Sequence, residues 1–125
     1  MSEVFVRQAQ MGLVGLPPAA SLDFDSKQID WQECGAQGFR IKPLLEDTRA
    51  GLRTWLMQVD AGAFSPLHAH DEVEQIYVLE GSFYDQDKTY HPGEFIVRAP
   101  GAMHSAGSVD GAVVLLFYSP ASSHS

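Results

Sequence analysis

Hydrophobic residues are grouped in short strand-like segments along most of this 125-residue chain. Glycine and proline interrupt these segments at intervals of roughly 8 to 15 residues, and no window shows the apolar repeat of an amphipathic helix. The segments with a strand-like pattern are 39–45, 52–60, 75–80, 82–84, 93–98 and 112–118, with turns at 46–51 and 85–88. Many short strands joined by regular turns predict an all-β sandwich or barrel.

The segment 1–30 differs from the rest of the chain. It contains Gly12, Gly15, Pro17 and Pro18 within a few positions. We interpret it as an N-terminal arm with a short strand or two, lying on the barrel or exchanged with a second subunit; the alternative is a mobile tail. The segment 31–119 is then a single barrel domain, and 120–125 is a loose polar end.

The amino-acid composition, above all the net charge, bears on which molecules the protein can bind. The formal net charge is −8, from 16 acidic and 8 basic residues, and the basic residues do not cluster. Nucleic acid and anionic membranes are therefore disfavoured as partners. No apolar run reaches the roughly 20 residues of a membrane span, and no signal peptide is recognised. Cys34 is the single cysteine. A cytoplasmic location is the default expectation.

Three histidines and one glutamate have the spacing of a metal site. His68 and His70 are two residues apart in an extended segment, so both side chains leave the same face, and Glu74 has the same parity. His104 follows a turn set by Gly101 in a second segment. Imidazoles with one carboxylate suit a divalent first-row metal, and four protein ligands leave coordination positions open. Glu72 and Gln75 are the alternatives to Glu74, although parity disfavours Gln75.

These segments resemble the two motifs of the cupin superfamily. The segment 62–81 matches every fixed position of the first motif, G-x5-H-x-H-x3,4-E-x6-G. The second motif, G-x5-P-x-G-x2-H-x3-N, is matched by Gly93, Gly101 and His104, with Pro100 displaced by one position and Ser108 in place of asparagine. The stretch HAHDEVEQIYVLEGSFYDQDKTYHPGEF is similar to small ChrR-like cupins, and the resemblance covers roughly residues 40–119.

The resemblance implies a cupin double-stranded β-helix, a jelly-roll barrel, with His68, His70, Glu74 and His104 as ligands of one metal ion. ChrR-like cupins include iron-dependent dioxygenases of small ketones and diketones, which makes Fe(II) the favoured metal over zinc, nickel or manganese. They also include a zinc-binding domain of an anti-sigma factor. We therefore expect a dioxygenase-like oxidoreductase; the alternatives are a non-catalytic zinc sensor, an O2-independent isomerase or lyase, and a barrel whose site stays empty. Cupins of this size are commonly homodimers.

Several other residues are candidates for substrate contact. Ile76 and Val78 share the parity of Glu74 and are expected in the pocket wall, and Met103 adjoins His104. Arg98 either binds an anionic substrate, pairs with a carboxylate, or lies in solvent at a strand edge. Seven further aromatic or large apolar residues are each expected either to line the pocket or to pack in the core: Trp55, Met57, Tyr77, Phe83, Phe95, Phe117 and Tyr118.

Overall fold

The computed structural model describes residues 12–121, and within them eleven β-strands form two sheets. The strands are β1 (Leu13–Val14), β2 (Gln32–Glu33), β3 (Phe39–Asp47), β4 (Leu52–Val59), β5 (Phe64–His68), β6 (Val73–Gly81), β7 (Phe83–Tyr84), β8 (Thr89–Tyr90), β9 (Phe95–Arg98), β10 (His104–Gly107) and β11 (Ala112–Ser119). A short 3-10 helix, Ser26–Gln28, precedes β2. The prediction of an all-β jelly roll is confirmed.

The larger sheet has the order β1-β3-β4-β11-β6-β9, with β2 also paired to β3, and the smaller has the order β5-β10-β7-β8. Along β11, burial alternates with a period of two, because successive side chains of a strand point to opposite faces. The apolar residues of the inward face form the core between the sheets: Phe39, Val59, Ile76, Val78, Phe83, Ile96, Val114 and Leu116.

Ser108 replaces the asparagine of the second motif and joins two turns at one end of the barrel. Its buried hydroxyl donates to the carbonyl of Ser82 at 2.6 Å and accepts the N–H of Gly111 at 2.8 Å. Its carbonyl accepts the N–H of Gly62, and its own N–H donates to the carbonyl of Ala63. Ser108 therefore satisfies the backbone groups that meet there, and the departure from the motif leaves the turn intact.

Gly81 ends the first motif where two turns approach each other closely. Its φ is +74°, and a Cβ built on it would lie 1.8 Å from the carbonyl oxygen of Gly111. Only glycine fits both the left-handed conformation and this spacing.

Four strands were not expected from the hydrophobic pattern: β2 and β8, of two residues each, and the longer β5 and β10. β5 and β10 belong to the smaller sheet. β5 is Phe-Ser-Pro-Leu-His, in which serine and proline separate the two apolar residues, and β10 is His-Ser-Ala-Gly, so both lack the usual run of β-branched and aromatic residues. β5 ends at His68, so His70 lies just beyond the strand rather than within it.

Of the predicted N-terminal arm, residues 12–30 can be followed, and residues 1–11 lie outside the described part of the chain, as do residues 122–125 at the other end. β1 pairs in parallel with β3 of the same chain, Leu13 lying opposite Leu45. Between residues 12 and 121, the fold contains no helix long and apolar enough to cross a membrane.

Candidate metal centre

The three motif histidines meet on the inner face of the smaller sheet. His68 and His104 are directly opposite each other on β5 and β10, and their ring centroids are 4.4 Å apart. The ring of His70 lies 5.2 Å from that of His68 and 5.7 Å from that of His104. One nitrogen from each imidazole lies within 4.8 Å of the others, so the three rings could hold one metal ion.

Backbone carbonyls fix the orientation of two of these rings. The Nδ1 of His68 is 2.8 Å from the carbonyl oxygen of Pro66, and the Nδ1 of His104 is 3.3 Å from that of Ala102. With the proton on Nδ1, each Nε2 keeps its lone pair for a metal, which is the usual outer-shell arrangement of a metal-binding histidine.

A backbone hydrogen bond connects the two motifs. The N–H of Gly101, in the turn before β10, donates to the carbonyl of His70 at 2.7 Å. Gly101 has φ +85°. The turn that brings His104 to the site therefore depends on a left-handed residue, which glycine adopts without steric cost.

Glu74 lies on β6 beside the histidine cluster and is almost fully buried. Its Oε2 accepts a 2.7 Å hydrogen bond from the hydroxyl of Tyr118. Its Oε1 lies 3.5 Å from the Nε2 of His104 and has no hydrogen-bond partner in the described residues. A buried carboxylate oxygen without a partner is costly. The group of atoms within 4.8 Å of one another comprises the three histidines, and Glu74 lies beside it, next to His104. Imidazoles with a neighbouring carboxylate are the ligand types that suit a divalent metal.

The alternative carboxylate, Glu72, makes a different interaction. Both of its oxygens pair with the guanidinium of Arg53, the longer contact being 3.3 Å. That guanidinium also lies 4.1 Å from the centroid of the Tyr118 ring and 4.5 Å from that of Trp55. Arg53 therefore anchors the loop between His70 and Glu74, an interaction that no local sequence signal indicated.

The electrostatics of the pocket favour neutral imidazole and a protonated phenol. Burial, followed by the positive charge of Arg98, lowers the pKa of His104 below its ordinary value, which keeps the ring neutral and able to bind a metal. Burial, followed by the charge of Glu74, raises the pKa of Tyr118. Tyr118 therefore keeps its proton and remains a donor to Glu74.

The histidines and Glu74 open into a cavity of about 210 Å³ between the two sheets. Most of its wall is apolar: Phe39, Trp55, Met57, Ile76, Phe83 and Leu116. Of residues 12–121, no lysine or arginine lines it. The volume is below the roughly 300–1,000 Å³ typical of sites for drug-sized ligands, so the cavity suits a small molecule with an apolar body.

The structure places the predicted substrate contacts in different surroundings. Ile76 lines the cavity, whereas Val78 is buried in the core and is not part of the wall. Met103 is 56% exposed and does not line the cavity. Arg98 is buried between Glu74 and Asp85 and does not reach the cavity wall.

The aromatic and apolar candidates also divide into two groups. Trp55, Met57, Phe83 and Tyr118 line the cavity. Tyr77, Phe95 and Phe117 lie on the outer face of the larger sheet. Strand parity separates the groups, since neighbours along a strand face opposite sides.

Comparison with known proteins supports the fold and the family. The family model of the ChrR cupin-like domain matches residues 20–122. An RmlC-like cupin from Shewanella frigidimarina is 24% identical, with 83% of this chain and 95% of that chain covered and a TM-score of 0.71. KdgF from Halomonas sp. is 26% identical, with 77% and 93% covered and a TM-score of 0.64.

The polyketide cyclase RemF from Streptomyces resistomycificus is 21% identical, with 80% of each chain covered and a TM-score of 0.70. A search of curated proteins gave no significant match. Because the family match spans most of the chain, including both histidine motifs, this protein belongs to the family of ChrR cupin-like domains.

Proposed function

We propose that this chain is a metal-dependent enzyme that acts on a small, largely apolar ketone or diketone, with Fe(II) as the metal and O2 as the second substrate. One observation carries the proposal: three clustered imidazoles of the described residues, with an unpartnered carboxylate oxygen of Glu74 beside one of them, lie at the wall of an apolar cavity. In a structural metal site the protein fills every coordination position, so such a site does not require an adjacent cavity.

His68, His70, His104 and Glu74 would hold the metal. A bound iron(II) ion would supply Lewis acidity and a redox partner for O2. Tyr118 orients Glu74 through its hydroxyl and keeps its own proton.

The apolar wall binds the carbon body of the substrate and excludes water, which strengthens the electrostatic interactions within the site. Because the wall, as far as the structure describes it, lacks a lysine or arginine, a substrate with a separate anionic tail would bury an unpaired charge there. Neutral ketones and diketones avoid that penalty.

A second candidate is an O2-independent metal-assisted lyase, isomerase or cyclase. The similarity to a polyketide cyclase supports it, and the same four ligands would serve. A non-catalytic zinc sensor is the third candidate, since ChrR, after which the family is named, is an anti-sigma factor.

Metal content tests the ligand set before any activity is measured. We expect near-stoichiometric metal in freshly purified protein and little in the variant carrying both His68→Ala and His104→Ala. The matched control is His91→Ala, since His91 lies exposed in a turn beside Glu94. If the double variant kept its metal, the proposed site would be wrong.

Activity is then tested after anaerobic Fe(II) reconstitution, with a panel of small diketones and hydroxyketones. O2 uptake with loss of substrate supports the dioxygenase, and turnover of the same panel under argon supports the lyase or isomerase. A tight zinc site that turns over none of these compounds in either condition would overturn the enzyme proposal in favour of the sensor.

We also propose that two chains associate through the outer face of the larger sheet. Its large apolar residues lie on three neighbouring strands: Tyr77, Leu79, Phe95, Val97 and Phe117. Val97, on the edge strand β9, is 61% exposed. Several exposed large apolar residues on one face of a sheet are typical of a protein interface. Light scattering at micromolar concentration should give a dimer that Val97→Glu converts to monomer, and a monomeric wild-type protein would contradict this.

A further inference from the structure

A row of polar side chains crosses the larger sheet at the level of the candidate metal centre. Glu74 on β6 lies opposite Tyr118 of β11 on one side and opposite Arg98 of β9 on the other, and Tyr118 lies opposite Arg53 of β4. Arg98 is the last member of the row. Its side chain is 11% exposed. Nearly all of its charge must therefore be compensated inside the protein.

Arg98 bridges two buried carboxylates. Its Nη2 donates to the Oδ2 of Asp85 at 3.2 Å, and its Nε lies 3.5 Å from the Oε1 of Glu74. Arg98 therefore joins the larger sheet to the end of β7 in the smaller sheet. Neither Nε nor Oε1 has a hydrogen-bond partner within residues 12–121, although each is fully buried.

Asp85 is a rigid anchor for this arginine. Its Oδ1 accepts the backbone N–H groups of Asp87 and Lys88, at 2.8 and 3.0 Å, and its Oδ2 accepts the hydroxyl of Tyr90 at 2.9 Å. Burial alone would raise the pKa of Asp85, but these hydrogen bonds outweigh it and lower the pKa. Asp85 thus remains a carboxylate and fixes the guanidinium of Arg98 in place.

The carboxylate of Glu74 receives its hydrogen bond from Tyr118, whereas Arg98 supplies a nearby positive charge. Arg98 is close enough to compensate the carboxylate charge, yet its full hydrogen bond goes to Asp85. Tyr118 occupies Oε2, so among the described residues Oε1 remains available and faces the Nε2 of His104 at 3.5 Å. A carboxylate arranged in this way is preorganised to bind a cation with its second oxygen.

We propose that Arg98, anchored by Asp85, is a positioning residue that keeps the Oε1 of Glu74 beside the Nε2 of His104. It acts through Glu74 and does not line the cavity. The inference rests on the proposed function in one respect, namely that Glu74 is a metal ligand.

The experiment measures the affinity of the purified full chain for Co(II), by titration of the visible absorption of the ion. Loss of an outer-shell partner typically lowers metal affinity about 10- to 100-fold, and we expect this range for Arg98→Met. Arg98→Lys should recover part of the lost Co(II) affinity, because lysine restores the positive charge but not the planar guanidinium. The matched control is Arg40→Met, whose guanidinium pairs with Asp60 at the protein surface and should leave the affinity unchanged.

A double-mutant cycle shows whether Arg98 acts through Glu74. In a Glu74→Gln background, Arg98→Met should cause no further loss of Co(II) affinity, and the spectra of the two single variants should shift in the same direction. Additive losses would overturn the proposal, because they would show a general effect on the fold. If Arg98→Met does not fold, Asp85→Asn replaces it, with the same expected loss and the same cycle.

The outcomes separate this inference from the proposed function. If Glu74→Gln weakens binding and neither Arg98→Met nor Asp85→Asn does, the positioning role is wrong and the metal site stands. If His68→Ala weakens binding but Glu74→Gln has no effect, the carboxylate is not a ligand and the inference falls with that part of the site. If His68→Ala also has no effect, the proposed metal centre itself is wrong.

Discussion

The hydroxyl of Tyr118 can be removed with little other change to the site. Tyr118→Phe keeps the ring, which packs edge-on against Trp55 and lies 5.3 Å from the ring of His70. What is lost is the 2.7 Å hydrogen bond to the Oε2 of Glu74. Because Oε1 already lacks a partner among the described residues, the variant leaves a buried carboxylate with Arg98 as its nearest compensating charge.

The expected magnitude follows from that single bond. A hydrogen bond to a charged group contributes about 1.5–3 kcal/mol, so the free energy of unfolding of the metal-free protein should fall by about 2 kcal/mol. For a domain of this size, that loss lowers Tm by roughly 6–10 °C. Retention of the ring makes the contribution from a new cavity small.

Urea denaturation in the presence of a chelator measures this difference, with the m-value checked for constancy. The matched control is Tyr84→Phe, because the Tyr84 ring stacks on Phe64 and its hydroxyl makes no hydrogen bond to another of residues 12–121. The control should change stability by less than about 0.5 kcal/mol. An equally small loss in Tyr118→Phe would refute the idea that this phenol stabilises Glu74.

Two further predictions concern the turns at the end of the barrel where Ser108 and Gly81 lie. Ser108→Ala should lower the free energy of unfolding by about 1–3 kcal/mol, because it removes the hydroxyl that accepts the N–H of Gly111. Urea denaturation measures this change, and an unchanged free energy would show that water replaces the hydroxyl. Gly81→Ala should reduce stability by more than about 3 kcal/mol, because the added Cβ meets a backbone carbonyl as well as a left-handed φ. The control is Gly35→Ala. Gly35 also has a left-handed φ, +93°, but a Cβ added there would have no atom of a non-adjacent described residue within 4 Å. The free energy of unfolding of this control should fall by only about 1–2 kcal/mol, which is the strain of an alanine in the left-handed conformation. Equal losses of the two glycine variants in Tm scans would contradict the steric argument.

Much of the fold and the clustering of the three histidines could be predicted from local sequence. The short apolar segments and the turn residues between them predicted the long strands of the larger sheet, and the motif spacing selected His68, His70 and His104 as neighbours. Strands β5 and β10 were missed as regular elements because their residues carry little hydrophobic pattern. Their pairing depends on contacts with distant segments, which a local pattern does not contain.

By itself, the sequence determined the chemistry available to the protein: three imidazoles, a carboxylate of matching parity and the glycines that permit the turns around them. The tertiary structure decided which neighbours those groups have. The register of β6 with β9 and β11 placed Arg98 and Tyr118 on either side of Glu74, and the packing of the two sheets brought Asp85 to Arg98. Register and sheet packing are set by the whole core, so interactions between residues far apart in the chain appear only when that core is formed.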